Sequence, residues 1–338
     1  MNAVIDCLSN IKMLSYNLLR RYGTFDIETQ PLCASFSSLL YDIFHTKEKY
    51  IKPDLFKKII GLLNPLFAEY HDADAKNLTY FFIETLHKEL LPSSNIENNI
   101  FDLLQEDTNF YDEQKMLNDF FNEYNSNKTI ISDIFTGINR SLLRCNNCFI
   151  SQYSFQSFDL HIFSLKKVKE YKMRKYNNNN LNLNLYDAFE CEQEEEKLEG
   201  DNMIYCKNCK KLVSSIHKQE IYAMPQILII ILNREKNNQD FNEDIKLDEI
   251  LDFTNSNIIY NQNNSYKKFY LRGIITHLEE IGNKGHYIAY CRNNFNERFT
   301  CYNGIDVSQV SVNDAISNKI PNNNFEKKTP YILFYHYI

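Results

Sequence analysis

Apolar residues recur at helical spacing through the first third of the chain. Near the start, Val4, Ile5 and Leu8 open such a series, and residues spaced three or four apart share one face of a helix. This pattern predicts one helix over residues 1–22, stopped at Gly23. The same spacing predicts three more helices, over residues 32–45, 53–66 and 74–91.

The last of these predicted helices has clear boundaries. Asp74 is a natural N-cap because its carboxylate can accept hydrogen bonds from the first free backbone N–H groups, and Pro92 ends the helix. Residues 93–128 are polar and acidic, which predicts a loop with a short helix near Gln114–Tyr124.

From Ile130 onward, the pattern changes to short runs rich in apolar, β-branched and aromatic residues, which are typical of strands. A helical lobe beside a β lobe, an α+β architecture, is therefore expected. The low-complexity residues 176–184 are expected to form a surface insertion. The predicted strands are Ile130–Phe135, Phe149–Phe163, His217–Leu232, Phe269–His277, Tyr287–Arg292 and Pro330–Tyr337.

A histidine and an asparagine flank two of the β-like runs. His286 opens one strand, and Asn303 closes the next strand after a polar turn. If the two strands pair as a hairpin, the two side chains can meet at one end of it. A histidine held by an amide is two parts of a Cys-His-Asn catalytic arrangement. A half-buried histidine in a sheet and an asparagine in a turn would give the same pattern, so the two residues alone leave both interpretations open.

Composition and charge narrow the function classes. The chain has 338 residues, of which 43% are hydrophobic, and this suits a folded protein of two or three subdomains. The net charge of −7 argues against nucleic-acid binding, and no apolar run is long enough to cross a membrane. Met1 is not followed by a secretory signal. We therefore expect a reducing compartment, the cytoplasm or the nucleus, where cysteines serve as metal ligands, core residues or catalysts rather than in disulfides.

Four of the nine cysteines form two C-x-x-C pairs, Cys145 with Cys148 and Cys206 with Cys209. Four thiolates are the ligand set of a closed, tetrahedral, structural zinc site. The separation of 58 positions between the pairs exceeds that of a compact zinc ribbon. Either a long excursion separates two halves of one site, or the pairs are unrelated, ordinary cysteines.

Several stretches, taken in order, resemble the ubiquitin-specific proteases, which are papain-like cysteine peptidases that remove ubiquitin from proteins. The resemblance extends over nearly the whole chain and includes both cysteine pairs. The other matching stretches are residues 1–10 (MNAVIDCLSN), residues 74–90 with Leu86-His87, Ile134–Gly137 followed by Arg140, Leu198–Gly200, Met224–Arg234, His277, Gly285–Tyr290 and Pro330–Tyr335.

The resemblance implies a single catalytic domain over residues 1–338, shaped like a right hand. Residues 1–128 would form a helical thumb, and residues 129–235 would form zinc-tipped fingers and part of the palm. Residues 236–338 would complete the β palm and carry the histidine motif. The partner would be ubiquitin or a ubiquitinated protein, with no role for nucleic acid or a membrane.

The resemblance also implies a role for each site residue. His286 would be the general base, and Asn303 would orient its ring. Gly285 and Tyr287 would line the narrow channel for the Gly-Gly end of ubiquitin. The reaction would be hydrolysis of the isopeptide or peptide bond at that terminal glycine, through an acyl-enzyme.

The nucleophile of the family has no counterpart in this sequence. It would lie two residues before the position of Met1, at the start of the first helix, where the helix dipole favours a thiolate. Cys7 lies about two turns into the helix, roughly 9 Å along its axis from Met1, and cannot take the place of the nucleophile. As written, the chain is therefore expected to be inactive unless it is extended upstream.

Three explanations follow from this departure. The chain can be an enzyme whose cysteine precedes Met1, which the break inside a motif favours. It can be a ubiquitin-binding protein without catalysis, which the replacement of the family's paired glutamines by Asp72-Ala73 favours. It can also be a zinc-stabilised scaffold that has lost ubiquitin recognition.

Overall fold

The computed structural model describes residues 1–47, 50–68, 74–92, 112–177, 182–233, 244–261, 266–280, 285–292, 298–318 and 325–338. Helices dominate its first part and strands the remainder. The helices are α1 (Asn2–Ser9), α2 (Lys12–Arg20), α3 (Pro31–His45), α4 (Asp54–Leu63), α5 (Ala75–Leu90), α6 (Glu113–Ser126), α7 (Ile130–Phe135), α8 (Leu165–Tyr176), α9 (Leu185–Glu192) and α10 (Val312–Ile316).

The strands begin directly after α7 and run to the end of the chain. In order they are β1 (Gly137–Cys145), β2 (Ser151–Phe158), β3 (His161–Ser164), β4 (Leu183–Asn184), β5 (Glu196–Leu198), β6 (Ile204–Cys206), β7 (Lys211–Val213), β8 (Ser215–Ala223), β9 (Ile227–Asn233), β10 (Ile245–Lys246), β11 (Ile250–Asp252), β12 (Lys268–Glu280), β13 (His286–Arg292), β14 (Phe299–Asn303), β15 (Asp306–Val310) and β16 (Phe325–Tyr337).

The largest sheet carries the hydrophobic core on both of its faces. Its strands run in the order β15-β14-β13-β12-β16-β9-β3, and β11 pairs with β12. Strand β9 shows the principle: Ile229 and Ile231 pack toward the helical lobe, whereas Leu228 and Ile230 pack toward the opposite core. Because successive side chains of a strand point to opposite faces, a strand covered on both sides must be apolar throughout.

The prediction of one helix over residues 1–22 is wrong in one respect, because this segment forms two helices, α1 and α2. The chain turns at Asn10 and Ile11, where Ile11 is extended. The Asn10 amide donates to the carbonyl oxygen of Asp6 at 2.8 Å, and the Ser15 hydroxyl donates to that of Ser9 at 2.6 Å. These side chains offer the backbone an alternative to helical hydrogen bonds, and α1 ends there.

The prediction of a strand at Ile130–Phe135 is also wrong, since this segment is helix α7. Thr129 and Ser132 form a capping box in which each side chain accepts a hydrogen bond from the other residue's backbone N–H. A short apolar run does not distinguish a buried strand from a buried helix by periodicity alone. The cap, which initiates a helix, decides the outcome.

The helices predicted over residues 32–45 and 74–91 are confirmed, whereas the one predicted over residues 53–66 ends earlier, at Leu63, and a separate 3-10 turn follows at Pro65–Phe67. Helix α5 is capped by Asp74, whose Oδ1 accepts from the backbone N–H of Lys76 at 3.0 Å. The short helix predicted near Gln114–Tyr124 is α6, and residues 93–111 of the predicted loop lie outside the described residues. The insertion predicted over residues 176–184 can be compared only in part, because residues 178–181 lie outside the described residues. Within the part that is described, Leu183 is buried.

A second sheet, β2-β1-β8-β5, extends away from the large one, and the short hairpin β6-β7 lies near its far end. Strand β1 ends at Cys145, and β6 ends at Cys206. The two cysteine pairs therefore lie at the turns of two hairpins. Among the described helices, none is long and apolar enough to cross a bilayer.

We predict that Thr129→Ala destabilises the protein by about 1–2 kcal/mol, because it removes the α7 cap. It also removes the hydroxyl that lies 2.8 Å from Nδ1 of His87. Urea unfolding would measure the effect. The matched control is Thr24→Ala, since Thr24 is exposed and its loss should change stability by about 0.5 kcal/mol or less. Equal effects of the two substitutions would contradict the prediction.

Candidate active site and cysteine cluster

His286 and Asn303 lie on neighbouring antiparallel strands. In the register of β13 and β14, Ala289 faces Tyr302. In the same register, Asn303 lies opposite Ile288. His286 is two residues before Ile288 and therefore lies on the same face of the sheet. Diagonal neighbours of this kind are within reach of medium-sized side chains.

The two side chains are joined by a hydrogen bond. His286 Nε2 lies 2.6 Å from Asn303 Oδ1, and both residues are partly buried. An amide oxygen can only accept, so the imidazole proton is on Nε2, and Nδ1 keeps the lone pair that a general base uses. The arrangement orients the ring and selects its tautomer.

Gly285 takes a conformation that other residues would not tolerate. Its φ is +74°, in the left-handed region, and a Cβ atom added here would lie 2.0 Å from the carbonyl oxygen of Leu278. Leu278 is the residue of β12 that pairs with His286. The glycine therefore lets the chain enter β13 in close contact with β12, and this close approach sets where His286 begins the strand.

Tyr287 connects this site to the helical lobe. Its ring lies 5.0 Å from that of His277 and 5.7 Å from that of Tyr331, between centroids. The Tyr331 hydroxyl donates to both carboxylate oxygens of Asp74, at 2.8 and 2.9 Å, and burial, followed by the Asp74 carboxylate, raises the pKa of Tyr331.

The contact between Tyr331 and Asp74 was not predicted. Sequence reasoning identified Asp74 as a helix cap and Tyr331 as part of the last strand. The two residues are 257 positions apart, and no local pattern connects them.

The cysteines outside the C-x-x-C pairs do not gather around His286. Cys7 is buried in the core, with its Sγ 3.8 Å from Sγ of Cys291. Cys291 is five residues along β13 from His286, or roughly 17 Å at the rise of a strand. Burial raises the pKa of Cys33, Cys291 and Cys301. It also raises the pKa of Cys191, to about 11. The thiolate form of all four side chains is therefore disfavoured.

Helix α1 packs directly on β13 and β12. The apolar residues of α1, Val4 and Leu8 among them, are part of the core that also contains Ala289 and Cys291 of β13. The first helix and the strand that begins with His286 are therefore held against each other by buried side chains.

The four paired cysteines form one cluster. The sulfur atoms of Cys145, Cys148, Cys206 and Cys209 all lie within 4.8 Å of one another. Sγ of Cys145 is 3.8 Å from that of Cys209, and Sγ of Cys148 is 3.7 Å from that of Cys206. A tetrahedral ion with metal–sulfur bonds of about 2.3 Å would place its ligands about 3.8 Å apart. The cluster can therefore hold a metal ion.

The two turns that carry the cysteines have the same backbone geometry. After the first pair, Phe149 N–H donates to the carbonyl oxygen of Cys145 at 3.0 Å; after the second, Lys210 N–H donates to that of Cys206 at 2.8 Å. Phe149 and Lys210 both have positive φ, 60° and 57°. Because the four sulfur atoms also converge, the two pairs are two halves of one site separated by a long excursion.

Backbone N–H groups also point at the sulfur atoms. Those of Asn147 and Cys148 donate to Sγ of Cys145 at 3.3 and 3.4 Å. A backbone hydrogen bond at Ile150 lowers the pKa of the Cys148 thiol to about 6, whereas desolvation and the neighbouring cysteine thiols raise the pKa of Cys209 to about 11. Hydrogen bonds of this kind favour thiolates, which are the form that binds metals.

Together, a helical lobe, a sheet with a histidine–amide pair and an extension ending in four cysteines define a papain-like α+β protein. Comparison with known proteins agrees. The family model described as ubiquitin carboxyl-terminal hydrolase matches residues 1–335, and the chain belongs to this family. Its fold is the α+β fold of the ubiquitin-specific proteases, which confirms the fold class expected from the sequence.

Individual relatives are distant but cover nearly the whole chain. It is 25% identical to ubiquitin carboxyl-terminal hydrolase Usp2 of Drosophila melanogaster over 99% of its length. It is 26% identical to human ubiquitin carboxyl-terminal hydrolase 2 over 93%, and 25% identical to human ubiquitin carboxyl-terminal hydrolase 21 over 99%. The chain spans 33%, 52% and 59% of these three relatives, respectively.

We predict that Gly285→Ala destabilises the protein much more than Gly304→Ala. Both glycines have positive φ, which costs an L-residue about 1–2 kcal/mol. A Cβ on Gly304 would meet nothing within 4 Å, whereas one on Gly285 would overlap the Leu278 carbonyl. Thermal unfolding of both variants would measure the difference, and similar losses would show that the close approach of β12 is unimportant.

We also predict that the cysteine cluster binds one metal ion per chain and that Cys206→Ser lowers this content well below one. Elemental analysis by inductively coupled plasma mass spectrometry would measure it, and the variant should also unfold at a lower temperature. Cys191→Ser is the control, because Cys191 is partly exposed and lies outside the cluster. A full metal equivalent in Cys206→Ser would exclude the site.

Proposed function

We propose that the protein containing this chain is a cysteine-type deubiquitinase. It would hydrolyse the isopeptide or peptide bond at the C-terminal glycine of ubiquitin. The observation that carries the proposal is the hydrogen bond between His286 and Asn303, found in a chain that belongs to the ubiquitin carboxyl-terminal hydrolase family.

In this proposal, His286 is the general base. Nδ1 would take the proton of a cysteine thiol as the sulfur attacks the carbonyl carbon of the terminal glycine, and would then deliver it to the leaving amine. Water would next attack the thioester carbonyl, with His286 accepting a proton from the water and returning it to the cysteine sulfur as the C–S bond breaks and the ubiquitin carboxylate leaves. Asn303 would hold the ring through both steps, but as a neutral amide it adds no charge to stabilise the imidazolium.

The nucleophile would be a cysteine that precedes Met1 in the full protein. Residues 1–10 resemble the part of the family's cysteine motif that follows the nucleophile. The packing of α1 on β13 supports this assignment, because it would bring the start of the first helix toward the strand that carries His286. The first turn of a helix also lowers a thiol pKa through its free N–H groups.

Gly285 and Tyr287 would line the channel for the ubiquitin tail. A diglycine end needs a narrow passage, and the two residues flank His286 directly in sequence. The contacts of Tyr287 with His277 and Tyr331 would restrain its ring as one wall of that passage.

The metal would be zinc, with a structural role. Four thiolates at tetrahedral spacing are a ligand set typical of zinc, and all four positions would be filled by protein. Zinc would cross-link the β1-β2 and β6-β7 hairpins and keep the fingers folded.

The test uses the protein extended upstream to include the cysteine, with ubiquitin carrying a fluorogenic C-terminal amide as substrate. We expect turnover, and we expect His286→Ala to lower kcat/KM by about 10³-fold or more while ubiquitin binding stays within a few-fold. The control is His45→Ala, because His45 is exposed at the end of α3 and should be neutral.

Two results would contradict the proposal. Hydrolysis unchanged in His286→Ala would exclude this residue as the base. Ubiquitin binding by the extended protein without any turnover would replace the enzyme with a ubiquitin-binding protein that lacks catalysis.

A further inference from the structure

The hydrogen bonds between Tyr331 and Asp74 join the helical lobe to the large sheet. Asp74 precedes α5 in the helical lobe, and Tyr331 belongs to β16 of the sheet. The Tyr331 hydroxyl lies 2.8 and 2.9 Å from the two carboxylate oxygens. A hydrogen bond to a charged acceptor is stronger than one between neutral groups. This contact therefore restrains the start of α5 relative to the sheet.

A β-bulge places Tyr331 for this contact. Ile275 of β12 pairs with Ile332 of β16, but the next residue, Thr276, pairs with Pro330. Tyr331 is therefore an extra residue between the two pairs. Bulges re-aim a side chain and are frequent beside active sites, and proline is tolerated in a sheet at such a position. The Tyr331 ring packs in the core under the helical lobe.

The acceptor of these hydrogen bonds is itself held in place. Asp74 Oδ1 also accepts from the backbone N–H of Lys76 at 3.0 Å, and the carbonyl oxygen of Asp74 accepts from that of Leu78 at 3.1 Å. The start of a helix favours a negative charge such as this carboxylate. Burial and then Asp74 raise the pKa of Tyr331, so its hydroxyl remains protonated and donates at neutral pH.

The Tyr331 ring contacts Tyr287, the residue after His286. The two ring centroids are 5.7 Å apart, with an angle of 34° between the planes. Tyr287 also contacts His277, which is its pairing partner on β12, at 5.0 Å between centroids. Aromatic rings at these separations attract each other. Tyr287 is therefore restrained by two neighbouring rings, and one of them is fixed by Asp74.

Burial separates the residue that a bound chain can touch from the residue that acts through it. Tyr331 is only 8% exposed, and its hydroxyl is occupied by Asp74. Tyr287 is partly exposed. A chain bound beside His286 would therefore contact Tyr287, whereas Tyr331 would set the position of the Tyr287 ring from behind.

We propose that Tyr331 is a positioning residue that makes the enzyme selective for the two glycines at the end of ubiquitin. Tyr287 lines the passage for this tail under the proposed function, on which this role depends. By anchoring the Tyr287 ring to Asp74, Tyr331 would keep the passage too narrow for a residue with a side chain. An unanchored ring would lose more conformational freedom on binding and would leave room for a Cβ atom.

Steady-state hydrolysis by the protein extended upstream tests this role with Tyr331→Phe, which keeps the ring and removes the hydroxyl. One substrate is ubiquitin with a fluorogenic C-terminal amide, and the other carries alanine in place of the penultimate glycine. We expect KM for the first substrate to rise about tenfold with kcat within about threefold, because a hydrogen bond to a charged group is lost without a change in the chemistry. The preference for glycine over alanine should fall by about tenfold.

Tyr335→Phe is the matched control. Tyr335 is also a buried tyrosine of β16, and its hydroxyl donates to the carbonyl oxygen of Asp248 at 2.6 Å. Its ring packs in the core on the opposite face of the sheet. This variant also loses a buried hydrogen bond and should unfold at a lower Tm, but its KM and its preference for glycine should equal those of the wild type.

Two variants of Asp74 test whether the geometry of the contact matters. Asp74→Asn keeps an oxygen that can accept from Tyr331 and from the backbone of Lys76, so its KM should stay within about threefold of wild type. Asp74→Ala keeps no acceptor and should behave like Tyr331→Phe. Equal losses in the asparagine and alanine variants would show that the carboxylate charge acts directly, which would overturn the positioning role.

Three further results would decide against this role. KM and glycine preference unchanged in Tyr331→Phe, or changed equally in Tyr335→Phe, would overturn it and leave the proposed function intact. Absence of turnover by the wild type would contradict the proposed function instead. Ubiquitin affinity measured by isothermal titration calorimetry would then replace KM, and equal affinity of wild type and Tyr331→Phe would overturn the role.

Discussion

The burial of one sheet on both faces is the constraint on which the rest of the structure depends. Strands β9, β12 and β16 lie in the middle of that sheet, and their side chains alternate between the core under the helical lobe and the core on the other side. Helix α1 is part of the first core. The position of the helical lobe relative to β13, and so to His286, therefore follows from apolar packing rather than from polar contacts at the site.

The spacing of His286 and Asn303 follows from the sheet, which already holds their backbones. A single hydrogen bond joins His286 to Asn303, and its length results from the register of β13 and β14. Gly285 matters for the same reason, since it allows β12 and the start of β13 to approach closely. Such rigidity restrains the position of the His286 ring.

The hairpins that carry the paired cysteines rely on a different principle from the two large cores. Their apolar cluster is small and consists of Cys145, Cys206 and Val213, with Cys148 and Cys209 packed against it. So few apolar groups would give little stability by burial alone, whereas a metal held by four thiolates can supply folding free energy directly. The four cysteines lie at the turns of the β1-β2 and β6-β7 hairpins, where a bound metal ion would supply such a link.

Most of the elements and ligand types that were predicted correctly from the sequence depended on interactions between near neighbours in the chain. Asp74 before α5, the alternating runs of β13 and β16, and the two C-x-x-C pairs each depend on neighbours within a few residues, and each predicted its element or ligand type. The same reasoning did not separate α1 from α2, nor recognise α7 as a helix, because a short apolar run fits either form until a cap such as Thr129 is weighed.

The sequence by itself determined the kinds of residues available: a histidine and an asparagine at strand ends, four cysteines in pairs and motifs in the order of a protease family. The tertiary structure alone decided which of them meet. The cysteine pairs, 58 positions apart, converge because the turns of the β1-β2 and β6-β7 hairpins lie side by side. Tyr331 reaches Asp74 across 257 positions. Contacts between residues distant in sequence depend on the packing of whole elements, which local patterns do not encode.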